Sequence, residues 1–502
     1  MQTGKYRKLG IVPILISAAV IAAAICVYSI SSPRTEVSNA DSIDNERLEW
    51  EGVIDVTPVP RVDKKGWKGN TAQQYMIIFE QPIDWNDRSA GTFSQRVFVD
   101  VKGKNQINHY LCDGYALYDS QYPAYFEEGY HEGMFELAEL YDANFINIEY
   151  RFNYKSVPEG ISLDEPDYWK YLTSENASKD FHHIITELRK VLPGKTIFTG
   201  ASKGGYATEC MAYYFPDDID AYVSYVAPLC DGTADERFCQ NIFETIGDMD
   251  YGTKQALQYR NLIIEFVKIM LDEPYRDRLQ EEFERSYDES GYHLSPQVST
   301  EEAFEASIAD MISFIWQYDQ DFDAIQKIID LPDNTEAQKR KKEEALLDYY
   351  LSFGPVEDTA YDSLSGAYYI QSYLEMGNYK IDLSYLREAG VNILTPEDND
   401  QDLAQRLWAP VTIGSFMSYD SSMREKLIQF FETTEKDIIR IEAKSDPWYA
   451  VRMPEVNNPH IHVYEVSGTH DAQIQELDKD KQKECLELLD SILGYNNKKY
   501  NR

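Results

Sequence analysis

A serine flanked by glycines stands directly after a β-branched segment of the sequence. Gly200, Ser202 and Gly204 form the pattern G-x-S-x-G, which follows a strand predicted over Thr196–Thr199 and precedes a helix-like segment. A chain that turns so sharply from a strand into a helix accepts only small residues beside the serine, and it leaves the hydroxyl exposed at the edge of the sheet. The pattern predicts that Ser202 is a nucleophile.

A serine hydroxyl is a weak nucleophile and needs an imidazole as its general base. The chain has eight histidines, of which His460, His462 and His470 lie near its C-terminus. His470 is in a turn immediately after a strand predicted over Ile461–Val466, where hydrolases with this kind of serine turn carry their histidine. We therefore predict that His470 is the base. His460 and His462 flank or lie within the strand, which is typical of structural residues, and no third ligand indicates a metal site.

The imidazole in turn needs a carboxylate that fixes its tautomer. In these hydrolases the acid lies between the serine and the histidine in the sequence. Asp446 follows a strand predicted over Ile438–Ala443 and is the predicted acid. Asp471 is the alternative, but its place next to His470 in the chain makes it difficult for its carboxylate to orient the ring.

A tetrahedral intermediate also needs hydrogen-bond donors for its oxyanion, and backbone N–H groups supply them. Lys203, directly after the nucleophile, is one candidate. Tyr115 is the other, because it lies in the loop after a strand predicted over His109–Cys112. The sequence has no CxxC motif and no cluster of His and Cys residues, so we expect neither a metal nor another cofactor.

The elements that position these residues fall into three parts. From 49 to 229, short apolar runs alternate with helix-like segments, and Asn144–Tyr150, Thr196–Thr199 and Ala221–Val226 are typical of parallel strands with crossovers. Gln74–Phe79 and Ser94–Val101 are close enough in the chain to form an antiparallel pair.

The middle part, 230–436, has almost no strand signal. Ser299 and Glu302 form a capping box before Phe304, Ile308 and Met311, which are spaced for one face of a helix. From 437 to 502 two strands and a helix over about 478–493 return. A sheet that is interrupted by helices and then resumes predicts an α/β-hydrolase fold with a large inserted helical cap at 230–436, between two parts of the core at 49–229 and 437–502.

The N-terminus has the pattern of an export signal. Lys5, Arg7 and Lys8 precede an uncharged segment over Leu9–Ile30, which is long enough to cross a bilayer. We expect 1–30 to be a signal peptide or a membrane anchor, followed by a polar tether at 31–48, and the protein to act outside the cytoplasm. The small residues at 22–24 favour cleavage, whereas the apolar residues that follow favour an anchor.

Composition excludes several classes of protein. The 502 residues are 43% hydrophobic and 27% charged, which is ordinary for a globular chain. Lys and Arg number 48 against 86 Asp and Glu, a net charge of −38, so a nucleic-acid partner is excluded because phosphate binding needs a basic surface. Outside the apolar segment there are five cysteines. The sequence leaves two arrangements of these cysteines undecided, a Cys230–Cys239 disulfide or buried free thiols.

The segment 198–205, Phe-Thr-Gly-Ala-Ser-Lys-Gly-Gly, resembles the nucleophile segment of the prolyl tri/tetrapeptidyl aminopeptidases, exported bacterial serine peptidases. Ser445-Asp446-Pro447-Trp448 and Gly468-Thr469-His470 are similar to their acid and histidine segments. Glu149-Tyr150-Arg151-Phe152 is similar both to this family and to the related Pro-Xaa carboxypeptidases. The resemblance runs from about 50 to the C-terminus and is thin across the helical part.

The resemblance implies a hydrolase sheet, a helical cap and the release of tri- or tetrapeptides from a free N-terminus, often after proline. An enzyme of this kind has to bind a charged α-amino group, for which a carboxylate is the natural partner. Asp231, Asp235 and Glu236, at the start of the cap, are candidates. The substrate is then a peptide, and a membrane is contacted only through the N-terminal segment. An esterase or lipase on the same scaffold and a Pro-Xaa carboxypeptidase-like enzyme stay open as alternatives.

Overall fold

The computed structural model describes residues 51–58, 73–117, 136–161, 166–363, 365–399, 402–409 and 418–495. The predicted signal or anchor segment and the predicted tether lie outside these residues. Within the described part of the chain, no helix is both long and apolar enough to cross a membrane.

One mixed sheet forms the centre of the described molecule. Its strands are β1 (Val53–Pro58), β2 (Gln73–Pro82), β3 (Thr92–Val101), β4 (Asn108–Cys112), β5 (Asn144–Ile148), β6 (Thr196–Ala201), β7 (Ala221–Tyr225), β8 (Ile438–Ala443) and β9 (Ile461–Val466). They are arranged in the order β1-β2-β3-β5-β4-β6-β7-β8-β9. β1 pairs with β2, β2 with β3 and β3 with β5, and these three pairs are antiparallel. From β5 onward, each strand in this order pairs parallel with the next. The predicted strands are all present, and β1 is an additional edge strand.

Helices flank the sheet in the first and last parts of the chain. They are α1 (Glu136–Leu140), α2 (Pro166–Trp169), α3 (Ser174–Arg189), α4 (Lys203–Tyr214) and the C-terminal helix, with short 3₁₀ turns at Arg88–Ala90, Pro447–Val451 and Ile474–Glu476. Alternate residues of the parallel strands enter two different cores, as the period of a strand requires. Phe198 and Tyr222 pack with α3 and α4, whereas Ile197 and Val223 pack with the C-terminal helix.

Every described element between β7 and β8 is helical. These helices are α5 (Glu236–Gln240), α6 (Asp248–Tyr251), α7 (Thr253–Leu271), α8 (Tyr275–Ser290), α9 (Thr300–Phe314), α10 (Phe322–Ile329), α11 (Glu336–Leu351), α12 (Pro355–Thr359), α13 (Gly366–Gln371), α14 (Ser384–Glu388), α15 (Leu403–Trp408) and α16 (Ser422–Thr433); the C-terminal helix is α17 (Lys479–Leu493). Single π-helical turns at Asn241–Thr245, Ile315–Asp319 and Ser372–Met376 extend α5, α9 and α13, and a 3₁₀ turn lies at Glu397–Asn399.

The helix α9 shows why this region is helical. Ser299 and Glu302 form the predicted capping box, in which each side chain bonds to the other residue's backbone N–H. The predicted apolar face is buried in the core shared by these helices, with Phe304 and Ile308 fully buried. We refer to the helical region between β7 and β8 as the cap. A mostly parallel sheet with a helical insertion before β8 confirms the predicted α/β-hydrolase fold, and the domain limits at 230 and 437 stay predictions.

The five cysteines among the described residues are buried free thiols, namely Cys112, Cys210, Cys230, Cys239 and Cys485. Of the two arrangements that the sequence left open for Cys230 and Cys239, the structure has the unpaired one.

Candidate active site

Ser202 occupies a strained turn between a strand and a helix. β6 ends at Ala201, α4 begins at Lys203, and Ser202 between them has φ 56° and ψ −123°. A backbone in such a region costs about 1–3 kcal/mol and persists only where its surroundings hold it. Here the Ser202 N–H donates to the Tyr225 carbonyl of β7 at 3.0 Å. The strain and the strand–turn–helix context are those of a nucleophile elbow.

The turn is closed around its glycines. A Cβ on Gly204 would lie 2.1 Å from the Cys112 carbonyl oxygen, and one on Gly200 would lie 2.2 Å from the Gly204 carbonyl oxygen. Both distances are far shorter than any non-bonded contact, so the end of β4 and the elbow approach each other only because these side chains are absent. The glycines therefore bring the loop after β4 against Ser202.

His470 and Asp446 form a buried pair. The His470 Nδ1 lies 2.6 Å from the Asp446 Oδ2, and the side chains are 5% and 1% exposed. An ionised carboxylate only accepts hydrogen bonds, so the proton of the ring lies on Nδ1. The opposite nitrogen, Nε2, is buried and has no hydrogen-bond partner among the residues that the structure describes. Asp471 is exposed; the described contact to Nδ1 comes from Asp446.

The sheet brings the three predicted residues to one edge. Ser202 follows β6, Asp446 follows β8 and His470 follows β9, and these strands run parallel with β7 between β6 and β8. The carboxyl ends of parallel strands meet at the same edge, which is where sheets of this type bind their ligands. An imidazole can take the proton of a serine hydroxyl when one ring nitrogen is hydrogen-bonded to a carboxylate and the other has a free lone pair.

The loop after β4, predicted to supply an oxyanion donor, packs directly on the elbow. A Cβ on Gly114 would lie 2.8 Å from the Gly204 backbone nitrogen, and the Tyr115 hydroxyl lies near the Ser202 side chain, which lowers the pKa of the tyrosine against the larger effect of burial. The prediction used only the backbone N–H of Tyr115, so the structure adds its hydroxyl to the groups beside the serine. Burial raises the pKa of Tyr115 well above its ordinary value, and this hydroxyl stays protonated and able to donate.

Glu149 anchors the loop after β4. Its carboxylate accepts hydrogen bonds from the Leu117 N–H at 2.7 Å and the Ser156 hydroxyl at 2.5 Å, and it pairs with Arg96 at 3.0 Å. The Tyr150 N–H next to it donates to the Tyr115 carbonyl at 3.1 Å. Sequence reasoning gave Glu149 no role, although it opens the segment quoted for the resemblance.

The Lys203 side chain is a second feature that sequence reasoning missed. It is 1% exposed, and its Nζ lies 4.2 Å from the ring centre of Tyr150, 5.5 Å from that of Tyr115 and 5.9 Å from that of Tyr368. The Nζ has no hydrogen-bond partner among the described residues. Burial lowers the pKa of Lys203 to about 7, since an ammonium is costly to desolvate.

Cap residues contact the site on two sides. The His470 N–H donates to the Gln317 carbonyl at 2.9 Å, and the Tyr318 ring stands edge-on to the imidazole with 5.8 Å between ring centres. On the other side the rings of Tyr368 and Tyr115 lie 5.8 Å apart. The cap therefore borders both the predicted base and the predicted oxyanion loop.

The three acids predicted to bind a substrate amine have other partners. Asp235 is buried, caps α5 and pairs with Arg237 at 2.6 Å. The Asp231 and Glu236 side chains are 69% and 78% exposed, and they lie 3.5 Å from Arg424 and 3.4 Å from Lys380. The amine-binding role of these acids stays a prediction.

His460 and His462 share one acceptor. The His460 Nδ1 and the His462 Nε2 each lie 3.0 Å from the Asp437 Oδ1. Within the described residues, no group of three or more His, Cys, Asp or Glu side chains has the arrangement of a metal site.

Comparison with known proteins places the chain in a family. The family model of the PS-10 peptidase S37 group matches residues 52–481. The chain belongs to this family. It is 23% identical over 305 residues to the prolyl tri/tetrapeptidyl aminopeptidase of Streptomyces mobaraensis, a match that covers 61% of this chain and 57% of the relative. The chain thus spans less than two thirds of that relative's length.

Solved structures similar to the chain are remote. A peroxisomal α/β-hydrolase from Saccharomyces cerevisiae is 9% identical with a TM-score of 0.33, covering 86% of this chain and 92% of its own. An acetylester hydrolase from Corynebacterium glutamicum is 9% identical with a TM-score of 0.34, covering 83% and 96%. The chain is thus a member of a peptidase family and has the sheet of an α/β-hydrolase.

Proposed function

We propose that this peptidase releases short peptides, three or four residues long, from the free N-terminus of peptide substrates, with Ser202 as nucleophile, His470 as base and Asp446 as its acid partner. The observation that carries the chemistry is the buried His470–Asp446 contact of 2.6 Å, at the sheet edge that bears Ser202. Among the described residues, the His470 Nε2 has no hydrogen-bond partner. The direction of cleavage is taken from the activity named for the Streptomyces relative.

The reaction proceeds in two acyl transfers. The Ser202 Oγ attacks the scissile carbonyl carbon while its proton passes to the His470 Nε2, and the oxyanion accepts hydrogen bonds from the Lys203 N–H and from Tyr115. The C–N bond then breaks, the leaving amine takes the proton from Nε2, and the N-terminal fragment is left as an ester on Ser202. A water molecule gives a proton to Nε2, attacks the ester and releases that fragment as a carboxylic acid, and the proton returns to Ser202.

The substrate is a peptide that reaches the edge under the cap. Its amine is bound by carboxylates at the base of the cap, for which Asp231, Asp235 and Glu236 are the candidates. A spacing of three or four residues corresponds to about 10 Å of extended chain. The charge of −38 argues against nucleic-acid partners. The export pattern before residue 31 supports an enzyme that acts outside the cytoplasm, secreted or anchored at the cell surface.

The direction of cleavage is tested with one peptide prepared with a free and with an acetylated N-terminus. Acetylation removes the charge of the amine, and we expect kcat/KM to fall about tenfold or more. Mass analysis of the free peptide is expected to show N-terminal tri- or tetrapeptides, and the Ser202→Ala variant controls for contaminating peptidases.

Three results would contradict the proposal. Equal cleavage of both peptides refutes recognition of the amine. Release of residues from the C-terminal end favours a carboxypeptidase-like enzyme, and hydrolysis of esters alone favours an esterase.

A further inference from the structure

The cap residue Asp250 contacts both loops that carry the proposed acid and base. Its Oδ2 accepts a hydrogen bond from the Ser445 hydroxyl at 2.6 Å and another from the Gly468 N–H at 3.0 Å. Ser445 directly precedes Asp446, and Gly468 stands two residues before His470. The Asp250 side chain is 7% exposed, so these bonds are made in a largely water-free setting, where a charged acceptor binds strongly.

The two loops also bond to each other at this point. The Ser445 N–H donates to the Gly468 carbonyl at 3.1 Å, so Asp250, Ser445 and Gly468 form a closed ring of three hydrogen bonds. The second carboxylate oxygen, Oδ1, pairs with Lys444 at 3.4 Å. The ring ties the segment after β8 to the segment after β9 through a residue of α6, which belongs to neither.

We infer that Asp250 is a positioning residue: it holds the two loops at the separation at which Asp446 Oδ2 and His470 Nδ1 lie 2.6 Å apart. The inference rests on the proposed function. Because Asp250 belongs to the cap, the geometry of the acid–base pair depends on the cap as well as on the sheet. A misplacement of about 1 Å in a reacting group costs on the order of 10²-fold in rate, which sets the size of the expected effect.

The test compares variants on a small activated ester, so that peptide specificity does not enter. Asp250→Ala removes the shared acceptor and is expected to lower kcat, per active site titrated with a fluorophosphonate, about 10²-fold, with KM unchanged within about threefold. Asp250→Asn keeps an acceptor oxygen for Ser445 and Gly468, and is expected to recover kcat to within about fivefold of wild type. Lys444→Met is the matched control, because it removes only the ion pair at Oδ1; its kcat is expected to stay within about twofold.

A double-mutant cycle separates positioning from a merely structural role. In an Asp446→Asn background the pair that Asp250 orients is already defective, so adding Asp250→Ala is expected to cost less than about threefold. A full 10²-fold loss in that background overturns the inference. Two results for the single Asp250→Ala variant also overturn it. One is an unchanged kcat per titrated site with a lower yield of folded protein, and the other is a raised KM with an unchanged kcat.

Two further variants keep the outcome decisive. If Asp250→Ala does not fold, Ser445→Ala removes one of the two donors to Oδ2 without altering the cap, and an unchanged kcat in that variant refutes the positioning role; a loss of about tenfold supports it. If Ser202→Ala retains activity, the proposed function fails and this inference with it. If Ser202→Ala is inactive while Asp250→Ala is normal, only the role of Asp250 fails.

Discussion

At the scale of single residues, catalysis depends on which carboxylate orients the His470 ring. Asp446 contacts the Nδ1 at 2.6 Å, whereas Asp471 is exposed. An amide in place of the acid stabilises the wrong tautomer of the ring. We expect Asp446→Asn to lower kcat about 10⁴-fold, and Asp471→Asn, the matched control, to change it less than about threefold. Steady-state kinetics on a peptide checks this, and a larger loss in Asp471→Asn would mean that Asp471 is the acid.

The buried Lys203 side chain should make the free energy of unfolding depend on pH. Burial lowers its pKa to about 7, whereas the unfolded chain keeps the ordinary value near 10.4. Between these values the unfolded chain binds more protons, so stability rises with pH; below pH 7 both states are charged and the full cost of burying the ammonium is present.

Lys203→Met removes that cost. We expect its melting temperature to exceed that of the wild type by about 2 °C or more at pH 6, and the difference to narrow at pH 9. The exposed Lys483→Met variant, with the same change of charge, is the control and is expected to show no such trend. A difference that is equal at both pH values, or that grows at pH 9, would contradict a buried, readily deprotonated Lys203.

The three residues proposed to react could be predicted from the sequence, because each follows a strand in a local pattern. Ser202, Asp446 and His470 lie one, three and four residues after the ends of β6, β8 and β9. The roles of Lys203 and Asp250 depend on which side chains of distant segments pack against them, and spacing along the chain does not report that. The contacts of both side chains include pairs of residues from the sheet loops and the cap, which are far apart in the sequence.

At the scale of elements, the elbow depends on its glycines. A Cβ at Gly204 would lie 2.1 Å from the Cys112 carbonyl oxygen, and backbone on both sides prevents relief by a side-chain rotation. We expect Gly204→Ala to destabilise the protein by about 3 kcal/mol or more, measured by urea unfolding. Gly103→Ala is the control, since the nearest atom to its Cβ is a flexible Gln106 side-chain carbon at 3.4 Å. Equal stability of the two variants would contradict the packing of β4 against the elbow.

The strand that the sequence did not predict has a physical explanation. Among the described strands, β1 pairs only with β2. Of its residues, Val56 is buried whereas Ile54 is 55% exposed. An edge strand with one buried side chain lacks the alternation by which strands are recognised. Ile438–Ala443 is buried along its whole length, whereas Ile461–Val466 has only Tyr464 and Val466 buried. Both segments are rich in β-branched and aromatic residues and are bounded by turns, which is why the sequence predicts them with their observed bounds.

At the scale of the whole molecule, the net charge of −38 acts on every approaching substrate. The field of a strongly acidic protein raises the encounter rate of cations and lowers that of anions, and salt screens it over about 10 Å at 0.1 M. We expect kcat/KM for a peptide with a lysine-rich C-terminal end to fall about threefold or more between 20 and 500 mM NaCl. A peptide of the same length and N-terminus with a glutamate-rich end is expected to show a rise, and a neutral one little change. Equal salt dependence of the three would refute steering by net charge.

The whole mechanism depends on Ser202 as the nucleophile that His470 activates, and covalent labelling tests this role most directly. The protein is treated with a fluorophosphonate, digested and analysed by mass. We predict one modified fragment, containing Ser202, no such label in Ser202→Ala, and hydrolysis in that variant lower by on the order of 10⁴-fold. Label on another residue, or a Ser202→Ala variant that keeps a tenth or more of wild-type turnover, would contradict the account.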